Sequence, residues 1–300
     1  MNEEFVQHAL SNGVEGALWL QRIPEIIAAY ETKWSLKVFP PFPLTYNYVA
    51  PCLCSDETEA VLKIGFPRDR EFQTEGEALA VFQGKGIEKL LHADKDHAVL
   101  LLERVTPGVP LSTLKDDEEA TGILASIMKK LWKPLPETHD FITIAEWSNA
   151  ILQFRQQYHG TSGPLPSHLV DKAERVFTEL IASSAEPVLV HGDLHHDNVL
   201  SSARAGWLAI DPKGVAAEPA YETAAMLRNP RSKLQQHPEL EQILIRRILV
   251  LSEALQIDPQ RIHQWGLAQT VLSAVWSAAD EGRGWEHAIR VAEALDKVTI

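Results

Sequence analysis

Apolar and polar positions follow three patterns along the chain, and the first covers residues 3–33. Apolar residues recur there at helical spacing, with interruptions at Gly13 and Pro24. Because glycine and proline break helical patterns, this segment predicts two or three short helices.

The second pattern covers residues 34–105 and is typical of strands. Three runs, WSLKVFP, LTYNYVAPCLCS and EAVLKIGF, precede a helical stretch, EFQTEGEALAVFQG. Two more runs follow in KLLHADKDHAVLLLERV, where residues 94–97 (DKDH) form the expected turn. The order of three strands, a helix and two strands predicts a small antiparallel sheet with one helix packed on it.

The third pattern is helical and begins after a Pro/Gly connector, TPGVP, at residues 106–110. Only residues 188–210 interrupt it, with the β-rich runs PVLV, NVLSS and WLAI. The three patterns predict an α+β, bilobal protein. We expect an N-terminal lobe over residues 1–105, a mainly helical C-terminal lobe over residues 106–300, and a ligand cleft where the lobes join.

Composition and charge narrow the class of partner. The chain has 28 Lys+Arg against 41 Asp+Glu, a net charge of −13, and no basic tract. We therefore expect no nucleic-acid or membrane partner, and we expect a cationic small molecule to be attracted. The N-terminus has neither the charge nor the apolar run of a signal peptide, so we expect a cytoplasmic location. The oligomeric state stays open.

The segment VLVHGDLHHDNVL, residues 188–200, carries the candidate chemistry. His191, Asp193 and Asn198 form the pattern H-x-D-x-x-x-x-N, and Asp211 stands thirteen residues after Asn198, at the end of the run WLAI. The spacing suits a loop, a short hairpin and a second acid returned to the same place. For phosphoryl transfer from a nucleotide, Asp193 would accept the proton of the attacking hydroxyl, and Asn198 and Asp211 would hold Mg²⁺, which prefers oxygen ligands.

Phosphoryl transfer also needs a cation on the N-terminal sheet to bind the nucleotide phosphates. Lys63 lies between apolar residues of a predicted strand, where an unpaired charge is costly. Glu75 on the following helix is the natural partner, and Glu71 and Glu77 remain alternatives.

These residues carry a resemblance to a known family. The segments AVLKIG, EGEALAVFQGKG, LLLERVTPG, VLVHGDLHHDNVL, WLAIDPKG and EPAYETAAMLRNP occur in order over residues 34–230. Together they resemble the aminoglycoside phosphotransferase family of the protein-kinase-like fold, in particular its streptomycin-type aminoglycoside and hydroxyurea kinase branch.

The resemblance implies a kinase that uses ATP and Mg²⁺ to phosphorylate a hydroxyl of an aminoglycoside-like antibiotic. It implies that Asp193 is the catalytic base and that the loop residue His191 is a scaffold. It gives the following binding residues: Lys63 for the phosphates, Glu75 as its partner, Asn198 and Asp211 for the metal, and Glu103, Arg104 and Val105 in a hinge that contacts the adenine through its backbone.

The chain departs from the kinase pattern in two places. The segment before Lys63 lacks the glycines that cover the phosphates in protein kinases, so Thr45, Tyr46 and Asn47 or their neighbours would build that loop. The family's G-D-P-x-Y-D arrangement is replaced by AEPAYE, residues 217–222, which keeps the negative charges.

Several alternatives stay open at this point. His195 and His196 could hold zinc, although hydrogen bonding within the loop is the better role. Trp276, Trp285 and the acids of SAADEGRGWEH could bind a cationic acceptor or could belong to the core and to a solvated helix end. The acceptor could instead be a sugar, an amino alcohol or another small alcohol, and the chain could be a nucleotide-binding regulator without transfer activity.

Overall fold

A computed structural model of the chain describes residues 2–280 and 284–300. Its N-terminal part has the predicted order of three strands, a helix and two strands, preceded by two helices. In chain order the elements are α1 (Glu3–Ser11), α2 (Gly13–Lys33), β1 (Leu36–Val38), β2 (Tyr48–Cys54), β3 (Glu59–Ile64), α3 (Arg70–Phe82), β4 (Leu90–Asp94) and β5 (Val99–Glu103). The five strands form one antiparallel sheet in the order β1-β2-β3-β5-β4.

This sheet is covered by helices on both faces. Ala60, Leu62 and Ile64 of β3 share one buried core with apolar residues of α1 and α2. Leu100 and Leu102 of β5 share another with α3. Because side chains alternate between the two faces of a strand, the pattern assigns one face to the N-terminal helices and the other to α3.

The predicted helix break at Pro24 is wrong, whereas the break at Gly13 is observed. Helix α2 continues through Pro24 from Gly13 to Lys33. A proline inside a helix costs about 3 kcal/mol relative to alanine. Trp19, Ile23 and Tyr30 of α2 are buried in the core beside the sheet, and burial of each large apolar side chain contributes about 1.5–3 kcal/mol. Tertiary packing therefore offsets the local cost.

The C-terminal part is mainly helical, with short strands between the helices. Its elements are β6 (Pro107–Pro110), α4 (Asp117–Leu131), β7 (Lys133–Pro134), β8 (Ile142–Thr143), α5 (Ile144–Gln157), α6 (Ser167–Ala182), β9 (Val188–Val190), β10 (Val199–Ser202), β11 (Gly206–Ala209), β12 (Val215–Ala217), α7 (Ala224–Leu227), α8 (Arg231–Leu234), α9 (Leu240–Leu255), α10 (Pro259–Asp280) and α11 (Glu286–Lys297).

Two predictions about this part need correction. The TPGVP connector contains strand β6, which pairs with β10. The strands β7, β8 and β12 also lie outside residues 188–210, and they join β9 in a second small sheet of order β7-β9-β12-β8. These strands have two to four residues each and are held by partners distant in sequence. Local alternation is too short to reveal such strands.

The chain segment between α3 and β4 contacts the last residue of β11. The Ala209 N–H donates to the Gly86 carbonyl at 2.9 Å, and the Glu88 N–H donates to the Ala209 carbonyl at 2.9 Å. This contact brings the N-terminal sheet to the chain that carries Asp211. The lobe boundary near residue 105 stays a prediction. No helix in the described residues is both long and apolar enough to cross a membrane.

Candidate active site

Lys63 lies on the face of β3 that is turned toward α3. Its neighbours Leu62 and Ile64 pack on the opposite face, with α1 and α2. The Lys63 side chain is buried, and its Nζ donates to both carboxylate oxygens of Glu75 at 2.7 Å. The alternation of strand residues thus aims a lysine at a helix that offers it a carboxylate.

The three acids that the sequence offered to Lys63 each take a different lysine. Glu71 and Glu75 are four residues apart and lie on one face of α3, whereas Glu77 points elsewhere. The ion pairs are Glu75–Lys63 at 2.7 Å, Glu71–Lys213 at 3.4 Å and Glu77–Lys95 at 2.8 Å. Glu75 is therefore the partner of Lys63 among the three.

Asp211 joins the same cluster from the chain segment that follows β11. Its Oδ1 accepts a hydrogen bond from Lys63 Nζ at 2.5 Å. Its backbone has φ +59°, a left-handed conformation that costs a non-glycine residue on the order of 1 kcal/mol. The Asp211 N–H donates to Glu88 Oε1 at 3.0 Å, which stabilises that conformation. Lys63 and Glu88 together therefore fix Asp211 beside the central strand β3 of the N-terminal sheet.

The cluster contains more carboxylates than its single central lysine can neutralise. Burial opposes the charge of Asp211, but Lys63 and Lys213 outweigh burial and hold the pKa of Asp211 below its ordinary value. Burial raises the pKa of Glu75 to about 7, despite Lys63, and raises the pKa of Glu88 to about 8. Such a site favours the binding of a further cation.

The loop after β9 is fixed by buried hydrogen bonds. Glu222 accepts the N–H of His191 at 2.5 Å and that of Gly192 at 3.1 Å. His191 is fully buried; its Nε2 lies 2.8 Å from the Ile210 carbonyl, and its Nδ1 accepts the Asp193 N–H at 3.2 Å. Burial lowers the pKa of His191 to about 4, so the ring is neutral and its Nε2 donates. These contacts are those expected of a scaffold.

Asp193 is held by a cation on one carboxylate oxygen. Arg228 Nη2 donates to Asp193 Oδ1 at 3.1 Å, while the ring of His195 lies 3.7 Å from Oδ2. Burial opposes the charge of Asp193, but His195, Arg228 and Lys213 outweigh burial and lower its pKa. Asp193 is therefore ionised at neutral pH, as a proton acceptor must be.

Asn198 lies in the 3₁₀ turn His196–Asn198 and contacts the same loop. Its Nδ2 donates to the backbone carbonyl of Asp193 at 3.0 Å. The backbone carbonyl of Asn198 accepts the Ile210 N–H at 2.9 Å. The hydrogen bond to Asp193 fixes the orientation of the side-chain amide. No group among the described residues donates a hydrogen bond to Asn198 Oδ1, so that atom can serve as an oxygen ligand. A neutral amide oxygen and the ionised carboxylate of Asp211 are oxygen ligands of the kind that a hard cation such as Mg²⁺ prefers.

The hinge residues lie apart from this cluster. Glu103 pairs with Arg204 at 2.8 Å, and its N–H donates to the Lys89 carbonyl at 2.8 Å. Arg104 Nη1 lies 3.3 Å from a carboxylate oxygen of Glu59, and the Val105 side chain is buried. Arg104 and Val105 follow the last paired residue of β5. Their backbone groups therefore remain candidates for the adenine contact, whereas the Glu103 N–H already has a partner.

The other polar and aromatic candidates have mainly structural contacts. His195 Nδ1 accepts the Asp197 N–H at 3.2 Å. His196 is fully buried, and neither of its ring nitrogens has a hydrogen-bond partner in the described part of the chain. Trp276 and Trp285 pack on the core of the helical region, while Glu281, one of the candidate acids, lies outside the described residues. The predicted phosphate loop, residues 45–47, lies between β1 and β2.

Four residues that contact the site had no role assigned from the sequence: Glu88, Lys213, Glu222 and Arg228. Of these, only Glu222 had been noted, as an acid that keeps the charge of the family pattern. Lys213, Glu222 and Arg228 all lie within the segments that resemble the kinase family, so their positions pointed to a role in the site. Glu88 gave no such signal, because its contact with Asp211 joins residues 123 positions apart.

The buried carboxyl of Glu88 predicts a pH dependence of stability. The folded protein holds this proton up to about pH 8, whereas an unfolded chain releases it near pH 4.3. The folded state binds more protons between these values, so the free energy of unfolding should fall as pH rises through this window. The Glu88→Gln variant keeps an oxygen for the Asp211 N–H and cannot ionise. We expect it to gain about 1–3 kcal/mol relative to the parent protein between pH 5 and 8.

The measurement is urea unfolding of both proteins at three pH values, without divalent cations. Parallel pH profiles of the two proteins would contradict this role for Glu88.

A buried lysine–glutamate pair on an antiparallel sheet, opposite a loop with an ionised aspartate, is typical of phosphotransferases with the protein-kinase-like fold. The chain belongs to the aminoglycoside/hydroxyurea antibiotic resistance kinase family, whose model matches residues 45–282. It is 28% identical to streptomycin 6-kinase of Streptomyces griseus over 293 residues, which cover 97% of this chain and 94% of that protein. It is 30% identical to hydroxyurea phosphotransferase of Kitasatospora aureofaciens over 294 residues, covering 94% of this chain and 82% of that protein.

Solved structures show the same fold at low identity. Choline kinase LicA from Streptococcus pneumoniae has a TM-score of 0.65 at 14% identity, covering 93% of this chain and 100% of that chain. A thermostable mutant of aminoglycoside phosphotransferase APH(4)-Ia, in a ternary complex with ADP and hygromycin B, has a TM-score of 0.62 at 17% identity, covering 91% of this chain and 97% of that chain. The predicted α+β, bilobal, protein-kinase-like fold is thereby confirmed.

Proposed function

We propose that this protein transfers the γ-phosphoryl group of ATP to a hydroxyl of a streptomycin-type aminoglycoside. The observation that carries the proposal is the meeting of Lys63, Glu75 and Asp211 around one buried ammonium group, on a chain that belongs to a family of antibiotic kinases. Residues 1–105 and 106–300 would form the two lobes, with ATP between them. Consumption of ATP is consistent with a cytoplasmic location.

We assign each residue of the cluster a separate role in phosphoryl transfer. Lys63, oriented by Glu75, would bind the inner phosphates of ATP, and the backbone of Arg104 and Val105 would contact the adenine. Asn198 and Asp211 would hold Mg²⁺, which neutralises phosphate charge when bound. Asp193 would accept the proton of the attacking hydroxyl with Oδ2, because Arg228 occupies its other oxygen.

The choice of acceptor rests on relatives and on charge. A protein named streptomycin 6-kinase matches this chain over almost its whole length. Aminoglycosides are cationic, and the net charge of −13 favours their approach. The hydroxyurea phosphotransferase at 30% identity makes hydroxyurea the second acceptor to test.

A coupled assay of ADP release tests the proposal across an acceptor panel. The panel contains streptomycin, a second aminoglycoside of different ring structure, hydroxyurea, choline and a simple sugar alcohol, each with ATP and Mg²⁺. We expect streptomycin to give the largest kcat/KM, and mass spectrometry of the product to show one added phosphate. Turnover of choline or the sugar alcohol alone would indicate a metabolic kinase. Tight ATP binding without turnover of any acceptor would indicate a regulator.

A further inference from the structure

Two glutamates on one face of helix α3 each form an ion pair with a lysine from another part of the chain. Only one of these two lysines has a role in the proposed reaction. Glu75 binds Lys63 from the sheet, and Glu71, one turn earlier, binds Lys213 from the segment after β11. The two ion pairs differ in closeness. Glu75 contacts Lys63 at 2.7 Å with both oxygens, whereas Lys213 lies 3.4 Å from Glu71. Lys213 therefore has the capacity to bind another anion.

The backbone of Lys213 is fixed between α3 and the loop of Asp193. Its N–H donates to the His191 carbonyl at 2.7 Å, and its carbonyl accepts the hydroxyl of Thr74 at 2.6 Å. The next residue, Gly214, has φ +68°, and a Cβ there would lie 2.6 Å from the Thr74 carbonyl oxygen. The close approach to α3 requires glycine at this position. Lys213 is thus held where helix α3, the loop of Asp193 and the segment that carries Asp211 meet.

The charge around Lys213 places it between the two halves of the reaction. Lys213 stands two residues after Asp211, and its N–H bond to the His191 carbonyl brings it beside the loop of Asp193, while its ammonium group pairs with Glu71. Asp211 is the predicted metal ligand on the nucleotide side, and Asp193 is the predicted base on the acceptor side. About a quarter of the Lys213 side chain is exposed, so its ammonium group can be reached from solvent.

We propose that Lys213, oriented by Glu71, is a catalytic residue that contacts the terminal phosphate of ATP during transfer. The proposal rests on the proposed function. In the reaction, the acceptor oxygen forms a bond to the γ-phosphorus, the bond from that phosphorus to the β,γ-bridging oxygen breaks, and ADP leaves with the bonding electrons. The hydroxyl proton goes to Asp193. Lys213 keeps its protons and neutralises charge on the outer oxygens of the moving phosphoryl group.

The test compares nucleotides that differ only in the terminal phosphate. The affinities of Lys213→Met for ADP and for a non-hydrolysable ATP analogue are measured by calorimetry with Mg²⁺. Loss of one charge contact of about 1.4 kcal/mol would weaken the analogue about tenfold, and ADP should change by less than about twofold. We also expect kcat for transfer to fall about 10²-fold, as for loss of one group that stabilises the transition state. Lys213→Arg should restore part of both effects.

Control variants separate this role from a general effect on α3. Lys95→Met removes the exposed lysine that pairs with Glu77 on the same helix, and it should leave both affinities unchanged. Glu71→Gln keeps Lys213 and loses its orienting charge, so it should lower kcat less than Lys213→Met does. Equal weakening of ADP and the analogue in Lys213→Met, or no weakening of either, would overturn the proposal. The affinity comparison needs no acceptor, so it decides the role of Lys213 even if every acceptor in the panel fails.

Discussion

Replacement of Asp193 by asparagine should nearly abolish transfer and leave nucleotide binding intact. Asparagine keeps the shape of the side chain and an oxygen for Arg228, but it cannot accept the hydroxyl proton. A positioned general base contributes about 10²–10⁴-fold to the rate, so kcat for the best acceptor should fall by that factor. The affinity for ADP should change by less than about twofold, because Asp193 acts on the acceptor. Steady-state assays of ADP release and calorimetry with ADP give the two values.

Asp197 offers a matched control for this variant. It lies in the same loop, its side chain is about half exposed, and Asp197→Asn makes the same chemical change. We expect Asp197→Asn to retain transfer. Unchanged turnover in Asp193→Asn would remove Asp193 from the mechanism, and equal losses in both variants would point to damage of the loop.

Replacement of Lys63 by methionine should have two large and separable effects. Removing one partner of a buried ion pair costs about 3–5 kcal/mol of stability, because the remaining charge is left without compensation. Glu75 would be that group, since its side chain is only 4% exposed. Because burial raises its pKa to about 7 even beside Lys63, Glu75 would take up a proton when Lys63 is removed, and the loss should lie near the lower end of this range. Loss of the phosphate contact should lower kcat/KM for ATP by about 10²-fold or more, as for other groups that stabilise the transferred charge.

The double variant Lys63→Met/Glu75→Leu distinguishes the two effects. An apolar pair of similar volume can replace a buried ion pair with little loss of stability. Asp211 can be hydrated when Lys63 is removed, because 38% of its side chain is exposed. We therefore expect urea unfolding to show recovery of most of the lost stability, while transfer stays low. Recovery of transfer together with stability would show that Lys63 has only a structural role.

The sheet that carries Lys63 was largely predictable from the sequence. The contacts of Lys63 were predictable only in part. Alternation along β3 indicated a strand with apolar neighbours around Lys63, and the structure has this strand over Glu59–Ile64. The sequence offered Glu71, Glu75 and Glu77 as partners on one helix. Helical spacing alone could not choose among them, because the choice depends on how α3 is placed on the sheet and on which other lysines reach it.

The helix α2 shows the opposite case, in which a strong local signal gave a wrong result. Proline at position 24 predicted a break, yet the helix continues through it. The prediction considered the local cost of proline, and it had no access to the burial of Trp19, Ile23 and Tyr30 beside the sheet. The break at Gly13 was correct because helix α1 ends two residues before it.

The sequence by itself determined the order of strands and helices in the N-terminal region, and the presence of an acid–amide–acid pattern suited to phosphoryl transfer. Side-chain periodicity and motif spacing are properties of neighbouring residues, so they can be read without coordinates. Only the tertiary structure decided which charges meet. The contact of Lys63 with Asp211 joins residues 148 positions apart, and that of Asp211 with Glu88 joins residues 123 apart. Such pairings arise from the packing of the whole chain, and burial then fixes which of the acids release their protons.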